Sequence, residues 1–309
     1  MSERKWTAHT VSAAEAGRTV EQILTGSLSI SRRMIQKLTR TKGIQLNKKP
    51  AYLGREVKEG DVIRAALSFQ EEAGLAPVEM PLSILFEDEH LIVVNKRPFL
   101  LVHPTNPTQT ETLSHGLTHH FMQQGLQTKM RPVHRIDRDT SGVLVVAKTA
   151  FAHQHLDRQL RDRELKREYV AFVDGTISEE RGQIDAPIGK HKQNPNLRAV
   201  RPNAGEFALT RYHVLERFET ATLVQLELET GRTHQIRVHL THLGHPLLGD
   251  RQYGHVGLNL LKRQALHASK VSFNHPASGE VIVVEAPLAP DLVALQEKLQ
   301  KGATSEVRG

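Results

Sequence analysis

His134-Arg-Ile-Asp-Arg-Asp-Thr-Ser-Gly142 is a charged stretch that runs directly into an apolar one, Val143-Leu-Val-Val-Ala147. Side chains of an extended chain alternate between two faces, so Arg135, Asp137 and Asp139 share one face and the isoleucine among them points to the core. The Asp-Thr-Ser-Gly end predicts a turn, because short polar side chains bond their own backbone and glycine accepts a positive φ. The apolar run predicts a buried strand. The sequence therefore predicts a carboxylate, flanked by two arginines, held beside a tight turn and a core strand.

The same residues also have a plainer interpretation. An Arg-x-Asp-Arg-Asp cluster can be a set of exposed ion pairs in front of a strand, and such pairs contribute little to stability. The choice between a surface cluster and a functional carboxylate therefore depends on the other motifs of the chain.

Length and composition indicate a chain that binds a polyanion. Its 309 residues are enough for one large domain and a small one. The formal net charge of +7 favours nucleic acid, with a membrane surface as the other standard partner. No apolar run is long enough to span a bilayer, and the N-terminus lacks the apolar segment of a signal peptide. We therefore expect no membrane association and a cytoplasmic location, which the absence of cysteine also fits.

Several kinds of chemistry are disfavoured by what the sequence lacks. Without cysteine there can be no disulfide, no cysteine nucleophile and no thiolate metal site. The 18 histidines include two clusters, but no His-Glu-x-x-His pattern accompanies them, so we expect capping, RNA contacts and core hydrogen bonds rather than zinc. Phosphate-loop, dinucleotide-binding and Gly-x-Ser-x-Gly motifs are also missing. We therefore expect neither a metal nor a cofactor.

The N-terminal part of the chain predicts a basic helix pair. Apolar residues recur at helical spacing over residues 20–28, and Ser29 or Ser31 can cap a second helix. Basic side chains on that helix have no acidic residue near them in sequence, since none occurs between residues 22 and 55. This pattern favours nucleic-acid contact over a plain solvated face. The candidate RNA-binding residues of the helix are Arg32, Arg33, Lys37 and Arg40.

Short strands and turns follow the helix pair, and this order resembles the S4-type RNA-binding domain. We expect that domain over residues 10–70, followed by a charged linker with Gly and Pro at residues 71–80. One departure is Asn47-Lys48, where the family often has Asn-Gly. A lysine there must accept a less comfortable backbone angle or a different turn.

Residues 81–300 predict a second domain of the α+β class. Strands are expected at residues 84–86, 91–94, 142–148, 168–173, 210–216, 222–229, 270–273 and 281–285. Helices are expected around residues 113–121, at 151–165, 230–244 and 291–301, and a basic loop at 191–201. Many strands with scattered helices, and no regular βαβ alternation, argue against a doubly wound fold.

Four ordered motifs of this domain resemble those of the RluA-type pseudouridine synthases. They are residues 134–142, Arg167-Glu-Tyr-Val-Ala171, Gly231-Arg-Thr-His-Gln-Ile-Arg-Val-His239, and a C-terminal set made of His245-Pro-Leu-Leu-Gly-Asp250, His275-Pro-x-x-Gly-Glu280 and Ala286-Pro287. The resemblance extends over nearly the whole second domain. It implies the pseudouridine synthase fold, with a mixed, mainly antiparallel central sheet and peripheral helices.

The resemblance also implies an enzyme that isomerises uridine in RNA to pseudouridine without a cofactor. Asp137 would act at the anomeric carbon of the sugar, either as the nucleophile or as the base that starts elimination. Arg237 would pair with this carboxylate and keep it ionised, and Tyr169 would stack on the uracil and help remove the proton from carbon 5. Arg135 would fill the base stack when the target nucleotide is flipped out. The remaining candidate RNA contacts are His134 and Arg232.

One motif departs from the family pattern. After the early strand the family usually has Asn-Lys-Pro-x-Gly, whereas this chain has Asn95-Lys-Arg-Pro-Phe99. Phenylalanine lacks the backbone freedom of glycine, so we expect a different loop conformation there. The ring would add an aromatic surface near the RNA.

Two other functions compete with the enzyme hypothesis. A non-catalytic RNA-binding or ribosome-assembly factor on the same fold would need the basic helix but not a carboxylate beside a polyanion. A metal-dependent nuclease would need clustered acidic ligands, which the sequence does not offer. For the enzyme, ribosomal RNA of the large subunit is the leading candidate substrate, transfer RNA is the second, and a monomer is the default expectation.

Overall fold

The computed structural model describes residues 6–28, 30–67, 71, 73–254 and 256–305, with the backbone alone for residues 303–305. Ser29, one of the two predicted helix caps, lies outside the described residues. Within these ranges no helix combines the length and the apolar character that crossing a membrane requires.

The N-terminal unit is a small antiparallel sheet with two helices. Its elements are β1 (Thr7–Thr10), a 3₁₀ turn (Ala13–Glu15), α1 (Val20–Thr25), α2 (Arg32–Arg40), β2 (Ile44–Leu46), β3 (Lys49–Pro50) and β4 (Val62–Ala65). The strand order is β1-β4-β2-β3. Both helices begin at polar caps, because Thr19 Oγ1 accepts a hydrogen bond from the Gln22 amide (3.2 Å) and Ser31 Oγ accepts one from the Met34 amide (3.3 Å).

The second unit is built on one large sheet. Its elements are β5 (Ile84–Glu87), β6 (Leu91–Lys96), α3 (Leu113–Gln123), β7 (Arg131–Pro132), β8 (Ser141–Ala147), α4 (Ala150–Arg161), β9 (Lys166–Asp174), β10 (Arg181–Asp185), β11 (Ile188–Lys190), β12 (Arg198–Val200), β13 (Leu209–Arg217), β14 (Ala221–Leu228), α5 (Gln235–His242), β15 (Leu266–Asn274), β16 (Val281–Glu285) and α6 (Pro290–Ser305). The sheet runs β10-β13-β14-β9-β15-β8-β6-β5, with β16 paired to β15 and β7 to β8. The β15–β8 pair is parallel and the other pairs of this sheet are antiparallel. The predicted α+β fold with a mixed, mainly antiparallel sheet is confirmed.

The central strands are buried on both faces. Ile92 and Val94 of β6 enter one core with the apolar side of α3, whereas Leu91 and Val93 enter a second core with α4. β8 alternates between the same two cores. A shift of β8 by one residue would exchange the two sets of side chains, so its register is strongly fixed. The charged segment in front of β8 is fixed with it.

Several element bounds differ from the sequence-based expectation. The helix expected to reach residue 165 ends at Arg161, and the one expected from residue 230 begins at Gln235. The expected basic loop at residues 191–201 contains the short strand β12, which pairs only with β11. Strands of two or three residues carry almost no periodic signal, because their pairing is decided by the partner chain segment.

The junction in front of β8 is tighter than the sequence suggests. Its turn begins two residues earlier than predicted, because the Thr140 amide donates to the carbonyl oxygen of Asp137 (3.1 Å). Gly142 has a φ of 111° and pairs with Lys96 of β6 on one side and Ala268 of β15 on the other. A Cβ at this position would lie 2.0 Å from the carbonyl oxygen of Ala268. Only glycine therefore lets β8 approach β15 here.

The loop after β6 contains a phenylalanine in a conformation that the sequence did not predict. Phe99 takes a left-handed backbone conformation with a φ of 62°, so the expectation that phenylalanine lacks this glycine-like freedom is wrong at this position. The Lys96 ammonium donates hydrogen bonds to the carbonyl oxygens of Arg97 and Leu100, both at 2.9 Å. The chain has to reverse between these two carbonyls, and this requirement outweighs the cost of a left-handed phenylalanine, about 1–2 kcal/mol.

The β2–β3 hairpin shows which of the two expected alternatives holds at Asn47-Lys48. Asn47 and Lys48 have φ angles of 51° and 66°, so the lysine accepts the less comfortable angle in a two-residue turn. The Asn47 carboxamide offsets part of this cost. Its Nδ2 donates to Asp61 Oδ1 and its Oδ1 accepts from the Val62 amide, both at 2.8 Å.

Packed side chains hold the two units together. Phe151 of α4 is buried in the apolar core of the N-terminal unit. The Ser31 amide donates to Gln154 Oε1 (3.3 Å), and His155 Nε2 lies 3.2 Å from the carbonyl oxygen of Leu28. The units are therefore in contact through α4 and not only through the chain that connects them.

The connecting segment is itself anchored at its start. Glu71 pairs with Lys37 of α2 (3.0 Å) and with Arg131 of β7, and its amide donates to the carbonyl oxygen of Gln127 (2.9 Å). Desolvation opposes the charge of Glu71, but hydrogen bonds from Lys37 and Arg131 lower the pKa of this carboxyl. We propose that residues 71–80 are the linker and that the two domains span residues 10–70 and 81–300.

Replacing Gly142 by alanine tests the β8–β15 junction. Because the new Cβ would collide with the Ala268 backbone, we expect Gly142→Ala to lower the free energy of unfolding by more than about 4 kcal/mol. Gly125→Ala is the matched control, since Gly125 also has a positive φ (70°) but has no atom within 4 Å of its built Cβ. The control should cost only about 1–2 kcal/mol. Similar losses for both variants in urea unfolding would show that the close approach is unimportant.

Candidate active site

A cavity that opens to solvent lies between the turn in front of β8 and the start of α5. It contains Asp137, Tyr169 and Arg237, which come from the turn, from β9 and from α5. The structure thus brings the three candidate catalytic residues to one cavity. The other residues that line it are Arg135, Ile136, Thr140, Leu228, Arg232, His234, Gln235, Ile236 and Leu266.

Arg237 connects the carboxylate of the turn to a second carboxylate. Its Nη1 donates to Asp137 Oδ2 at 3.2 Å. Its Nε and Nη2 donate to the two oxygens of Asp250 at 2.7 and 2.9 Å, and Nη2 also donates to Gln252 Oε1 at 2.6 Å. The side chain of Arg237 is 6% exposed and that of Asp137 22%. Asp250 therefore fixes the plane of the guanidinium, and Asp137 receives the remaining donor at the mouth of the cavity.

The charge of Arg237 is secured by these partners. Burial opposes the charged form, but the hydrogen bonds and charges of Asp250 and Asp137 outweigh burial and raise the pKa of Arg237. The ring of Tyr253 adds to this arrangement, with its centroid 4.8 Å from Arg237 Cζ. The carboxylate of Asp137 thus faces a permanent positive charge.

Tyr169 forms an apolar wall of the same cavity. It is 4% exposed, and burial raises the pKa of its phenol, so the hydroxyl is protonated near neutral pH. The aliphatic side chains of Leu228 and Leu266 line the cavity beside it. A flat aromatic ring could enter this apolar slot while a sugar remained beside Asp137.

His234 lies between the carboxylate and Tyr253. It occupies the position before α5 with a left-handed backbone, φ 57° and ψ 23°. Its Nδ1 lies 2.9 Å from the Tyr253 hydroxyl, and its Nε2 lies 3.9 Å from Asp137 Oδ2. The Arg198 amide donates to the Tyr253 hydroxyl at 2.9 Å, which ties the β11–β12 hairpin to the site.

The other motif residues occupy different environments. Arg135 is exposed at the mouth of the cavity. Arg232 pairs with Glu206 and donates through Nε to the carbonyl oxygen of Phe207 at 2.9 Å. His134 is buried, accepts a hydrogen bond from the Val145 amide (3.3 Å), and has its pKa lowered by burial to about 3. This environment favours a neutral, supporting role for the ring of His134 beneath the turn.

Lys96 is a buried lysine from the quoted stretch after β6, and the sequence predicted no role for it. Its ammonium is enclosed by the loop after β6 and also donates to the carbonyl oxygen of Arg138 at 2.9 Å. Burial lowers the pKa of Lys96 to about 7, although Asp139 and Asp137 oppose the shift. The hydrogen bond to Arg138 ties the loop after β6 to the residue that follows Asp137 in the chain.

The basic helix α2 presents its charges in two ways. Arg32, Arg33 and Arg40 are exposed on the side opposite the buried Met34 face. Lys37 lies on the same helix but is half-buried in its pair with Glu71. The four candidate RNA-binding residues of α2 are therefore not equivalent.

No group of three or more His, Asp or Glu residues in the described ranges is arranged to hold a metal ion. What the cavity offers is a carboxylate paired with a guanidinium, an apolar slot with a phenol, and an exposed arginine at the mouth. Such a set suits reaction at a sugar carbon with a planar group bound beside it.

Sequence reasoning named the carboxylate, the tyrosine and the arginine but missed the residues that hold them. Asp250 ends a quoted motif, and Gln252 and Tyr253 follow it, yet no role was assigned to any of the three. Their only local signal is the turn sequence Leu248-Gly-Asp250. A contact between Arg237 and Asp250 depends on how that loop folds back, which local periodicity does not report.

Comparison with known proteins identifies two matching families. The family of RNA pseudouridylate synthases matches residues 90–242, and the N-terminal domain of the ribosomal pseudouridine synthase RluD matches residues 8–63. The protein named uncharacterized RNA pseudouridine synthase YhcT of Bacillus subtilis is 41% identical over 284 residues, covering 91% of this chain and 93% of its own.

Two further relatives extend this likeness. The protein named ribosomal large subunit pseudouridine synthase D of Nitrosomonas europaea is 41% identical over 302 residues, covering 94% of this chain and 87% of its own. The structure of human RNA pseudouridylate synthase domain containing 1 is 28% identical, covers 72% of this chain and 95% of its own, and superposes with a TM-score of 0.58. The chain therefore belongs to the RluA-type RNA pseudouridine synthases, isomerases that act on uridine in RNA.

Proposed function

We propose that this protein converts specific uridines of large-subunit ribosomal RNA to pseudouridine, with Asp137 acting at the anomeric carbon. The observation that carries the proposal is the Asp137–Arg237 contact at the mouth of a cavity walled by Tyr169. The choice of RNA is supported by relatives named ribosomal large subunit pseudouridine synthase D, such as those of Nitrosomonas europaea and Vibrio parahaemolyticus. One chain supplies the whole cavity, so we propose a monomer, working in the cytoplasm.

Entry of the substrate requires that the uridine leave its stack. Flipping a nucleotide costs a few kcal/mol, and least in loops and bulges of RNA. Arg135, exposed at the mouth, is placed to occupy the space that the base leaves. The uracil then fits the apolar slot beside Tyr169, and its ribose faces the carboxylate of Asp137.

The reaction balances without a co-reactant. The bond between uracil N1 and the anomeric carbon breaks, the freed uracil turns, and its carbon 5 bonds to the anomeric carbon. Carbon 5 then loses its proton and the ring nitrogen N1 gains one. Asp137 either attacks the anomeric carbon or removes a proton from the neighbouring ribose carbon, and both routes need the carboxylate form. Tyr169 is the group beside the uracil that can assist the proton transfer from carbon 5.

Arg237 supplies the counter-charge for Asp137 in this scheme. The bidentate pair with Asp250 keeps the guanidinium in place when RNA phosphates approach, because those phosphates would otherwise compete for it. A protein that only bound RNA would gain nothing from a carboxylate at this position. The geometry therefore favours the enzyme over a non-catalytic RNA-binding factor.

Asp137→Asn tests the central role. The amide keeps the shape of the side chain but removes the charge, so we expect turnover to fall about 10³-fold or more, with RNA affinity nearly unchanged. Turnover is measured as tritium release from RNA labelled at uridine carbon 5. The matched control is Asp139→Asn, since Asp139 pairs with its exposed neighbour Arg138 and should keep most of the activity.

Three results would contradict this proposal. Unchanged tritium release by Asp137→Asn would remove Asp137 from the chemistry, and no release by the wild-type protein from any cellular RNA would remove the enzymatic function. Mapping of pseudouridines in total RNA, from cells with and without the protein, tests the substrate. A difference confined to transfer RNA would overturn the ribosomal assignment.

The two kinds of basic residue on α2 should contribute differently to RNA binding. We expect Arg33→Gln to weaken binding of structured RNA and to lower the slope of log affinity against log salt by about 1. Lys37→Gln should have a smaller effect, because Lys37 must first leave Glu71. Fluorescence titrations at several salt concentrations provide the measurement. Equal effects of the two variants would show that the Glu71 pair does not restrain Lys37.

A further inference from the structure

His234 holds an unfavourable backbone conformation next to Asp137, the proposed catalytic carboxylate. Its φ of 57° and ψ of 23° place a non-glycine residue in the left-handed region, at a cost of about 1–2 kcal/mol. Strain of this kind persists where the surroundings fix a residue, and it concentrates at functional sites. A residue that precedes a helix usually has an extended backbone, so the start of α5 does not by itself call for this conformation.

The hydrogen bonds around Tyr253 bear on which ring nitrogen of His234 carries the proton. The Tyr253 hydroxyl oxygen accepts a hydrogen bond from the Arg198 amide at 2.9 Å. Its own proton is therefore free to go to His234 Nδ1, also at 2.9 Å. A neutral imidazole that accepts at Nδ1 carries its proton on Nε2. A relay from the Arg198 amide through the Tyr253 hydroxyl to Nδ1 would thus leave the proton of the ring on Nε2.

The Nε2–H group lies next to Asp137. Nε2 is 3.9 Å from Asp137 Oδ2, the same oxygen that accepts from Arg237 Nη1 at 3.2 Å. Burial lowers the pKa of His234; Asp137 and Asp250 raise it, whereas Arg237 and Arg198 lower it further. The ring is therefore neutral near pH 7, and its Nε2–H group can donate a hydrogen bond to the Asp137 carboxylate.

We propose that His234 is a positioning residue for Asp137. When a uridine fills the cavity, its Nε2–H donates to Asp137 Oδ2, so that two donors hold this oxygen and Oδ1 faces the sugar. A distance of 3.9 Å is too long for a hydrogen bond, but catalytic hydrogen bonds often shorten only in the substrate complex. This inference rests on the proposed function, because it assumes that Asp137 is the reacting group.

Two substitutions separate the donor from the backbone. In His234→Gln the amide nitrogen stands near the position of Nε2, so the hydrogen-bond donor to Asp137 is kept. The backbone strain is also kept, because glutamine does not favour the left-handed region. In His234→Asn the amide reaches only the position of Nδ1, but asparagine tolerates the left-handed region better than most residues. The donor hypothesis and the purely structural one therefore predict opposite orders of activity.

The experiment is steady-state tritium release from the RNA substrate, together with thermal unfolding of each variant. We expect His234→Asn to lose about 10- to 100-fold in kcat, as for a lost hydrogen bond to a charged group, with KM unchanged and stability equal or higher. His234→Gln should keep kcat within about tenfold of wild type. If asparagine is as active as glutamine or more active, or if only KM changes, the inference is wrong.

Tyr253→Phe tests the relay that fixes the tautomer. The phenyl ring still stacks on Arg237, but the hydroxyl that donates to His234 Nδ1 is gone. We expect kcat to fall less than in His234→Asn, with KM unchanged; an unchanged kcat would overturn the relay. Wild type and Asp137→Asn are measured in parallel. If both behave as proposed while the histidine variants do not, only the inference fails; if the wild type is inactive, the proposed function fails with it.

Discussion

One buried guanidinium, that of Arg237, serves two carboxylates. A buried charge without a partner is very costly, and removing one partner of a buried pair typically destabilises a protein by about 3–5 kcal/mol. Asp250, whose side chain is 1% exposed, is the main partner of Arg237 through a bidentate contact. Asp137 can therefore remain partly exposed, because Arg237 keeps its main partner whether or not Asp137 is engaged elsewhere.

The sheet determines that these groups meet. β15 lies between β8 and β9, so the turn in front of β8 and the tyrosine of β9 reach the same cavity from two sides of one strand. The close approach of Gly142 to Ala268 sets the position of the turn relative to β15. α5 then brings Arg237 to the carboxylate across 100 residues of sequence. The positions of the strands and of α5 therefore set the distances between Asp137, Tyr169 and Arg237.

The sequence predicted the parts of this arrangement that have a local signal. The many short strands with scattered helices led to the fold class, and the resemblance of the four motifs led to Asp137. The partner contacts of Asp250 and Tyr253 have no such signal, because they depend on a loop that folds back onto α5. The left-handed conformation of Phe99 was also not predicted, for a different reason. Three carbonyl oxygens bind the Lys96 ammonium, and this requirement overrides the local backbone preference of phenylalanine.

The shared packing of Phe151 has a consequence for target selection. Since this ring of α4 is buried in the core of the N-terminal unit, the separation between the exposed arginines of α2 and the cavity is set by interlocked side chains and not by a flexible tether. If the arginines of α2 bind RNA as proposed, one RNA can reach both them and the cavity only where its phosphates and its extruded uridine stand at a matching separation. Three-dimensional spacing within the folded RNA would then be a criterion of recognition, independent of the bases next to the target.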